Sequence, residues 1–168
     1  MVTGFISNEP TLGSKWPELL KEIAPQVKRV GLLFNPHTSP HAEPFLRSAE
    51  ASAASFGIEL KASRFRSDAE MESAIAALAA KPGGGLIVLP EPTTNVRTEL
   101  IIELAARHRL PAIYAFRFQA TSGGLISYGV DLAESVRSAA SYVGHILEAR
   151  GRQTFLCRRR PNSRLSSI

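Results

Sequence analysis

The sequence predicts a three-layer αβα sandwich with a mostly parallel, Rossmann-like sheet. Short apolar segments alternate with longer segments of helical periodicity, the pattern of an α/β domain with right-handed crossovers. The segment at residues 29–34 is continuously apolar at its centre, as expected for a strand that is covered on both faces. Polar and aromatic residues follow several of these strands, at the sheet edge where ligands bind in such folds.

The predicted strands are short runs of aliphatic and aromatic residues bounded by turn residues. They cover residues 2–6, 29–34, 58–65, 86–89, 111–114 and 125–128. Hydrophobic and polar residues alternate over 58–65, which places that strand at a sheet edge with one face less covered. Gly129 is predicted to break the last strand, and the glycine-rich segment 82–85 is predicted to be a loop.

The predicted helices have apolar residues at intervals of three or four positions. They cover residues 14–24, 41–56, a segment that begins at Ser67, 95–108 and 131–149. Ser14 is the expected cap of the first helix, and Ser67 with Glu70 forms a capping box. Asp131 and Glu134 have the same spacing at the last helix, whose apolar residues are expected to face the sheet.

Composition is that of one globular domain of 168 residues with 44% hydrophobic residues, or of one lobe of a larger protein. No apolar run approaches the roughly 20 residues that cross a bilayer, and the first residues have no signal-peptide pattern. The single cysteine, Cys157, excludes an internal disulfide or a cysteine-based zinc site.

The net charge of +5 comes from the C-terminal end of the chain. Six of the 20 basic residues lie at or after Arg150 with no acid among them, which leaves 14 basic and 15 acidic residues, a net charge of −1, in residues 1–149. No recognition helix or interleaved aromatic residues accompany these arginines, so we expect no nucleic-acid partner. Residues 151–168 are expected to be a solvated, disordered tail.

No catalytic motif is present in the sequence. There is no phosphate-binding glycine loop after a strand and no nucleophile elbow. His37 and His41 have the spacing of two metal ligands on a helix, but no third ligand lies near them in sequence, so they are interpreted as loop histidines and no metal is expected.

Binding-type side chains collect where the strands end. The candidate ligand-binding residues are Asn35, Glu91, Tyr114, Arg117, Ser127, Tyr128 and Asp131. Arg117 lies between aromatic residues in a predicted strand-end loop, a suitable position to pair with a carboxylate. Tyr114 has the alternative of packing in the core, and Asp131 that of a helix cap.

Several separated blocks resemble one family. The blocks LLKEIAPQVKRVGLLFNP, LIVLPEP, ELAARHRLPAIYAFR, GGLISYGVDL and AASYVGHIL are similar, in order and spacing, to the second half of ABC transporter substrate-binding proteins of the tryptophan and tyrosine type. The resemblance covers residues 2–150 and implies the C-terminal lobe of a type I periplasmic binding protein. It implies a small-molecule solute such as an amino acid, held between two lobes, and a membrane permease as partner. It implies a periplasmic location, no catalysis and no cofactor.

The sequence also departs from that family. The N-terminal lobe and export signal are not in the sequence, so the chain as written is expected to be cytoplasmic and to form homo-oligomers through uncovered apolar surface. The loop after Arg117 reads FQATS where the family usually has acidic residues, and the end after Arg150 looks foreign to it. A Rossmann-like enzyme or nucleotide-responsive regulator is the main alternative, and a partner-binding protein that uses the basic tail is a third.

Overall fold

A computed structural model describes residues 9–148 and 163–167. Six strands form one sheet in the order β2-β1-β3-β4-β5-β6. The first five are parallel, and β6 is antiparallel to β5. The strands are β1 (Arg29–Phe34), β2 (Glu59–Arg64), β3 (Gly84–Val88), β4 (Ala112–Tyr114), β5 (Ile126–Val130) and β6 (Ser163–Ser167). The predicted fold class is confirmed.

A single-turn 3-10 helix, Pro10–Ser14, precedes the α-helices. These are α1 (Lys15–Ile23), α2 (Ala42–Ser55), α3 (Asp68–Ala79), α4 (Pro92–Val96), α5 (Thr98–Arg107), α6 (Arg117–Thr121) and α7 (Leu132–Glu148). The expected cap at Ser14 is wrong. Because the 3-10 turn runs directly into α1, the Ser14 hydroxyl donates back to the Thr11 carbonyl oxygen, at 2.8 Å.

Two apolar clusters cover the two faces of the sheet, which makes the structure three-layered. On one face Trp16 of α1 stacks on Phe45 of α2, with ring centroids 5.8 Å apart. The indole N–H of Trp16 donates to the Tyr128 carbonyl oxygen at 2.9 Å and so ties α1 to β5. On the other face Met71 of α3 and Ile101 of α5 belong to the cluster under β3 and β4.

The expected edge strand is confirmed, since β2 is the first strand of the sheet and alternates exposed and buried residues at its start. Ser67 caps α3 as predicted, since its hydroxyl oxygen accepts from the Glu70 N–H at 3.2 Å. The reciprocal half of the predicted capping box differs, because the Glu70 carboxylate accepts from the N–H of Arg66, one residue before the cap, at 2.7 Å. The glycine loop is shorter than predicted, because β3 already begins at Gly84.

Gly129 does not break β5, which continues to Val130. A Cβ atom at Gly129 would overlap the carbonyl oxygen of Ala115 on the neighbouring chain segment. The glycine therefore permits close approach of two backbones inside the sheet rather than ending the strand.

The single helix predicted over residues 95–108 is two helices. α4 begins at Pro92, and the chain bends at Arg97 before α5 begins at Thr98. The sequence does not predict α6, because five residues are too few to show a helical period. Arg117, expected in a strand-end loop, is instead the first residue of this helix.

The expectation that α7 packs on the sheet is wrong. None of its residues from Leu132 to Gly144 is buried, and Val136 and Val143 are 67% and 53% exposed. Asp131 does begin this helix as predicted, since its carboxylate accepts from the Glu134 N–H at 3.1 Å.

Residues 163–167 form a strand, β6, where the composition predicted a solvated end. The rest of the predicted tail up to residue 162, and the strand predicted over 2–6, lie outside the described residues.

Candidate functional site

The candidate site is the carboxyl edge of the sheet. With the strand order 2-1-3-4-5, the connections that leave β1 and β3 run in opposite directions, which opens a crevice between their ends. Asn35 follows β1, Glu91 lies just after β3, Arg117 follows β4 and Asp131 follows β5. Four of the seven predicted site residues therefore share this edge.

Asn35 shapes the loop after β1. Its side-chain oxygen accepts a hydrogen bond from the His37 N–H at 3.0 Å, an Asx turn that folds the loop back on itself. The turn brings the Thr38 hydroxyl to the loop after β3, where it lies 2.6 Å from a Glu91 carboxylate oxygen and 2.8 Å from the Thr93 hydroxyl. We call this bridge across the crevice, formed by Thr38, Glu91 and Thr93, the threonine–glutamate clasp.

Glu91 is a helix cap whose carboxylate is almost fully enclosed. Its side chain accepts from the Thr93 N–H at 2.7 Å and from the Thr94 N–H at 2.9 Å, at the start of α4. Only 2% of the residue is exposed, so these donors and Thr38 replace the water that a carboxylate otherwise requires. With both oxygens occupied, Glu91 fixes the shape of the crevice rather than offering a free acceptor to a ligand.

A chain of hydrogen bonds continues from α5 to α6. The Thr98 hydroxyl donates to the Asn95 carbonyl oxygen at 2.9 Å and accepts from the Gln119 side-chain amide at 3.3 Å. The Gln119 side-chain oxygen in turn accepts from the Phe116 N–H at 3.1 Å. Gln119 is fully buried, so this pairing holds α6 against α5 and sets where its first residue lies.

Arg117 is that first residue of α6. Its side chain is exposed, and it forms no ion pair with any residue that the structure describes. The rings of Phe116 and Phe118 stack beside it, 5.8 Å apart and 16° from parallel, and Phe118 is 43% exposed. The unpaired guanidinium can pair with a carboxylate, and the exposed ring beside it offers a flat apolar surface. Both groups lie on one wall of the crevice.

Two polar atoms at the same edge are buried without a hydrogen-bond partner among the described residues. These are the Ser39 hydroxyl, in the loop after β1, and the Asn95 side-chain oxygen, in α4. Buried polar groups are nearly always paired, so such atoms mark places where a ligand or water is expected to bind.

The other predicted site residues lie along the strands rather than beyond them. Tyr114 and Ser127 are opposite each other on β4 and β5, and both are buried. Burial raises the pKa of the Tyr114 hydroxyl well above its ordinary value. Tyr128 packs against the cluster that contains Trp16, on the opposite face of the sheet. Asp131, at the carboxyl edge, uses its carboxylate to cap α7.

Sequence reasoning did not select Thr38, Ser39, Phe118 or Gln119 as site residues. A small hydroxyl residue soon after a strand is a usable signal for Thr38 and Ser39, because the loop after β1 borders the crevice. Gln119 had no such signal, since its role depends on the unpredicted helix α6.

The described residues hold no cluster of three or more histidine, cysteine, aspartate or glutamate side chains suited to a metal ion. Within the same residues, no helix combines the length and the apolarity needed to cross a membrane.

A family model described as ABC transporter substrate binding protein matches residues 1–155. The chain belongs to this family. Members of the family bind small-molecule solutes outside the cytoplasm and work with ABC permeases. A comparison with curated protein sequences gives no match.

Solved structures agree with the fold. A conserved domain protein from Vibrio cholerae is 30% identical with a TM-score of 0.74, and the match covers 89% of this chain and 49% of that one. An ABC domain from Streptococcus pneumoniae in complex with L-Trp is 19% identical with a TM-score of 0.74, covering 88% of this chain and 50% of that one. A LacI family transcriptional regulator from Bifidobacterium animalis is 12% identical with a TM-score of 0.70, covering 94% and 59%. The last two show the fold alone, and this chain spans about half the length of the first two structures.

We predict that the threonine–glutamate clasp stabilises the domain. Glu91→Ala should lower the free energy of unfolding by about 2 kcal/mol, because two N–H groups at the start of α4 and the Thr38 hydroxyl lose their acceptor. Thr38→Val should lower the free energy of unfolding less, by about 1 kcal/mol. Urea titration of the two single variants and the double variant measures the coupling. If the single effects simply add, Thr38 and Glu91 do not interact in solution.

Proposed function

We propose that this chain is the C-terminal lobe of the solute-binding component of an ABC importer. Its carboxyl edge would form one wall of a cleft for a small solute that carries a carboxylate and an aromatic group, such as an aromatic amino acid. The observation that carries the proposal is Arg117, which is exposed and unpaired among the described residues and lies beside the stacked rings of Phe116 and Phe118.

The proposal assigns different roles to the residues at the edge. Arg117 would pair with the solute carboxylate, and Phe118 would cover its aromatic group. The unpartnered Ser39 hydroxyl and Asn95 side-chain oxygen would receive polar groups of the solute. Asn35, Glu91 and Asp131 would act by positioning these loops, since the side chain of each already accepts a backbone hydrogen bond.

Two further findings support this assignment. The chain belongs to the substrate-binding family and covers about half of its structural relatives, which fits one lobe of a two-lobed receptor. The Streptococcus pneumoniae relative was solved with L-Trp, a solute of the proposed class. The edge groups are hydrogen-bonding and ion-pairing groups without a nucleophile and base pair among the described residues, so we propose binding without catalysis, in the periplasm, with a permease as partner.

The isolated chain should bind aromatic amino acids with a dissociation constant in the millimolar range or higher. One wall provides about half of the contacts, and a loss of about 4 kcal/mol weakens binding roughly a thousandfold. When the chain is joined to an N-terminal lobe of the family, titration calorimetry should give a micromolar dissociation constant for one such solute.

In that two-lobed protein, Arg117→Ala should weaken binding about 10- to 100-fold, because a charge-assisted pair with the solute carboxylate is lost. Arg107→Ala is the matched control, since Arg107 is also exposed but pairs with Glu103 and Glu72 on the helices. Equal affinity of the Arg117→Ala variant and the parent would remove Arg117 from the site. A micromolar dissociation constant for the isolated chain would refute the proposal that this lobe provides only half of the binding site.

We also propose that the isolated chain self-associates through α7. Leu132, Val136, Ala139 and Val143 recur at three- and four-residue intervals, the spacing of a helix–helix seam. The positions beside that seam, Ala133, Ser135, Ala140 and Tyr142, carry no charge, so a second copy brings no like charges together. A second copy is the occupant that this self-complementary pattern fits best.

Sedimentation velocity at micromolar concentration should therefore show a species larger than the 18.2 kDa monomer. Replacing Val136 and Val143 with lysine should give the monomer, because two buried charges would face each other across the seam. Ser141→Lys, which adds charge away from the seam, should leave the association unchanged. A monomeric parent would overturn the proposal of self-association through α7.

A further inference from the structure

A pocket lies at the amino-terminal edge of the sheet, opposite the carboxyl edge. Its volume is about 420 Å³, within the size range of small-molecule sites. It is bordered by the C-terminal ends of α1 and α5 and by the residues that lead into β4 and β5. The apolar part of its lining includes Ile23, Ala24, Ile102, Ala105, Leu110 and Leu125. Ile23 and Leu125 are exposed there, so the pocket offers apolar surface to a ligand.

Tyr114 gives this pocket a buried polar group. The residue lines the pocket and is only 1% exposed, and its hydroxyl has no hydrogen-bond partner among the described residues. Gly124 makes room for the ring, because a Cβ atom there would lie 2.8 Å from Tyr114 Cε2. Like any tyrosine, Tyr114 is protonated at neutral pH, and its hydroxyl can donate a hydrogen bond. Burial raises the pKa of the hydroxyl further, because it disfavours the phenolate.

Arg109 gives the pocket a cation. It lines the same pocket and, unlike the neighbouring Arg107, has no ion-pair partner among the described residues. Its backbone is in the left-handed region with φ of 51°, the one described non-glycine residue with a positive φ. This conformation ends α5, because the Arg109 N–H donates to the Ala106 carbonyl oxygen at 3.0 Å and the Leu110 N–H donates to the Ala105 carbonyl oxygen at 2.9 Å. The end of the helix therefore fixes the backbone from which the Arg109 side chain extends.

We propose that this pocket binds a small monocarboxylate with an apolar body. The apolar lining would enclose the body, and the carboxylate would accept from the Tyr114 hydroxyl and pair with the Arg109 guanidinium. The pocket is separate from the carboxyl edge, where Arg117 lies, so it does not depend on the function proposed for that edge. The lining residues all belong to the described part of this chain, so the chain by itself is the suitable protein for a binding test.

Octanoate is a suitable probe, with 1-octanol and octylamine as ligands of the same length that lack the carboxylate. Titration calorimetry on the whole chain should show octanoate binding at least tenfold more tightly than either control. Amide chemical shifts should move at Gly123 and Leu125 and not at His37 or Phe118. Equal affinity for octanoate and 1-octanol would overturn the role of the two polar groups.

Three variants test the same claim. Arg109→Gly removes the charge and suits the positive φ, so the fold should be kept while octanoate affinity falls at least tenfold. Arg109→Lys should stay within about threefold of the parent, because the charge remains. Tyr114→Phe should weaken octanoate binding about fivefold and leave 1-octanol binding nearly unchanged.

Arg47→Ala is the control for a general loss of positive charge, because Arg47 is an exposed residue of α2 that belongs to neither proposed site, and this variant should bind octanoate as the parent does. Unchanged octanoate affinity in Arg109→Gly would overturn the proposal, as would an equal loss in Arg47→Ala.

Discussion

The enclosed carboxylate of Glu91 is the constraint on which the carboxyl edge depends. A charge that has lost its water must be given hydrogen bonds, and those bonds come from Thr38 in one loop and from the first turn of α4 in another. The crevice between β1 and β3 is thereby held in one shape. Removing one of these donors would leave a buried charge incompletely satisfied, which is costlier than losing an ordinary surface contact.

The same constraint extends along the helices to the proposed site. α4 leads through Arg97 into α5, and Thr98 at the start of α5 accepts from Gln119 of α6. The residue carried at the start of α6 is Arg117. A long, exposed side chain is thus attached to a short helix whose position is fixed by buried polar pairs. In the proposed function, these buried pairs would hold the Arg117 guanidinium at a defined place on the wall of the cleft.

The sequence predicted the architecture because the elements that define it are long and strongly patterned. The continuous apolar β1, the alternating β2 at the edge and the helix cap at Ser67 all depend on local chemistry, and each is confirmed. The predictions failed where a distant contact decides the outcome. Gly129 continues a strand because the Ala115 backbone lies against it, and α7 has the periodicity of a packed helix without being packed.

The candidate site was harder to predict for the same reason. Residue type and position along the chain placed Asn35, Glu91, Arg117 and Asp131 at the ends of strands, and the structure has them there. Residue type and position do not show which way a side chain points in a strand of only three residues. The sequence therefore predicts Tyr114 at the crevice, whereas the residue lines a pocket at the other edge of the sheet. Hydrogen-bond roles, such as those of Thr38 and Gln119, require the tertiary arrangement.

The central claim is that the carboxyl edge of this lobe is a solute-binding wall. Nuclear magnetic resonance of the isotopically labelled chain, titrated with L-tryptophan to tens of millimolar, tests it most directly because weak binding is still mapped to residues. We expect amide shifts at His37, Thr38, Arg117 and Phe118, with saturation in the millimolar range. Shifts confined to the residues around Arg109 and Leu125, or none at any residue, would contradict the claim.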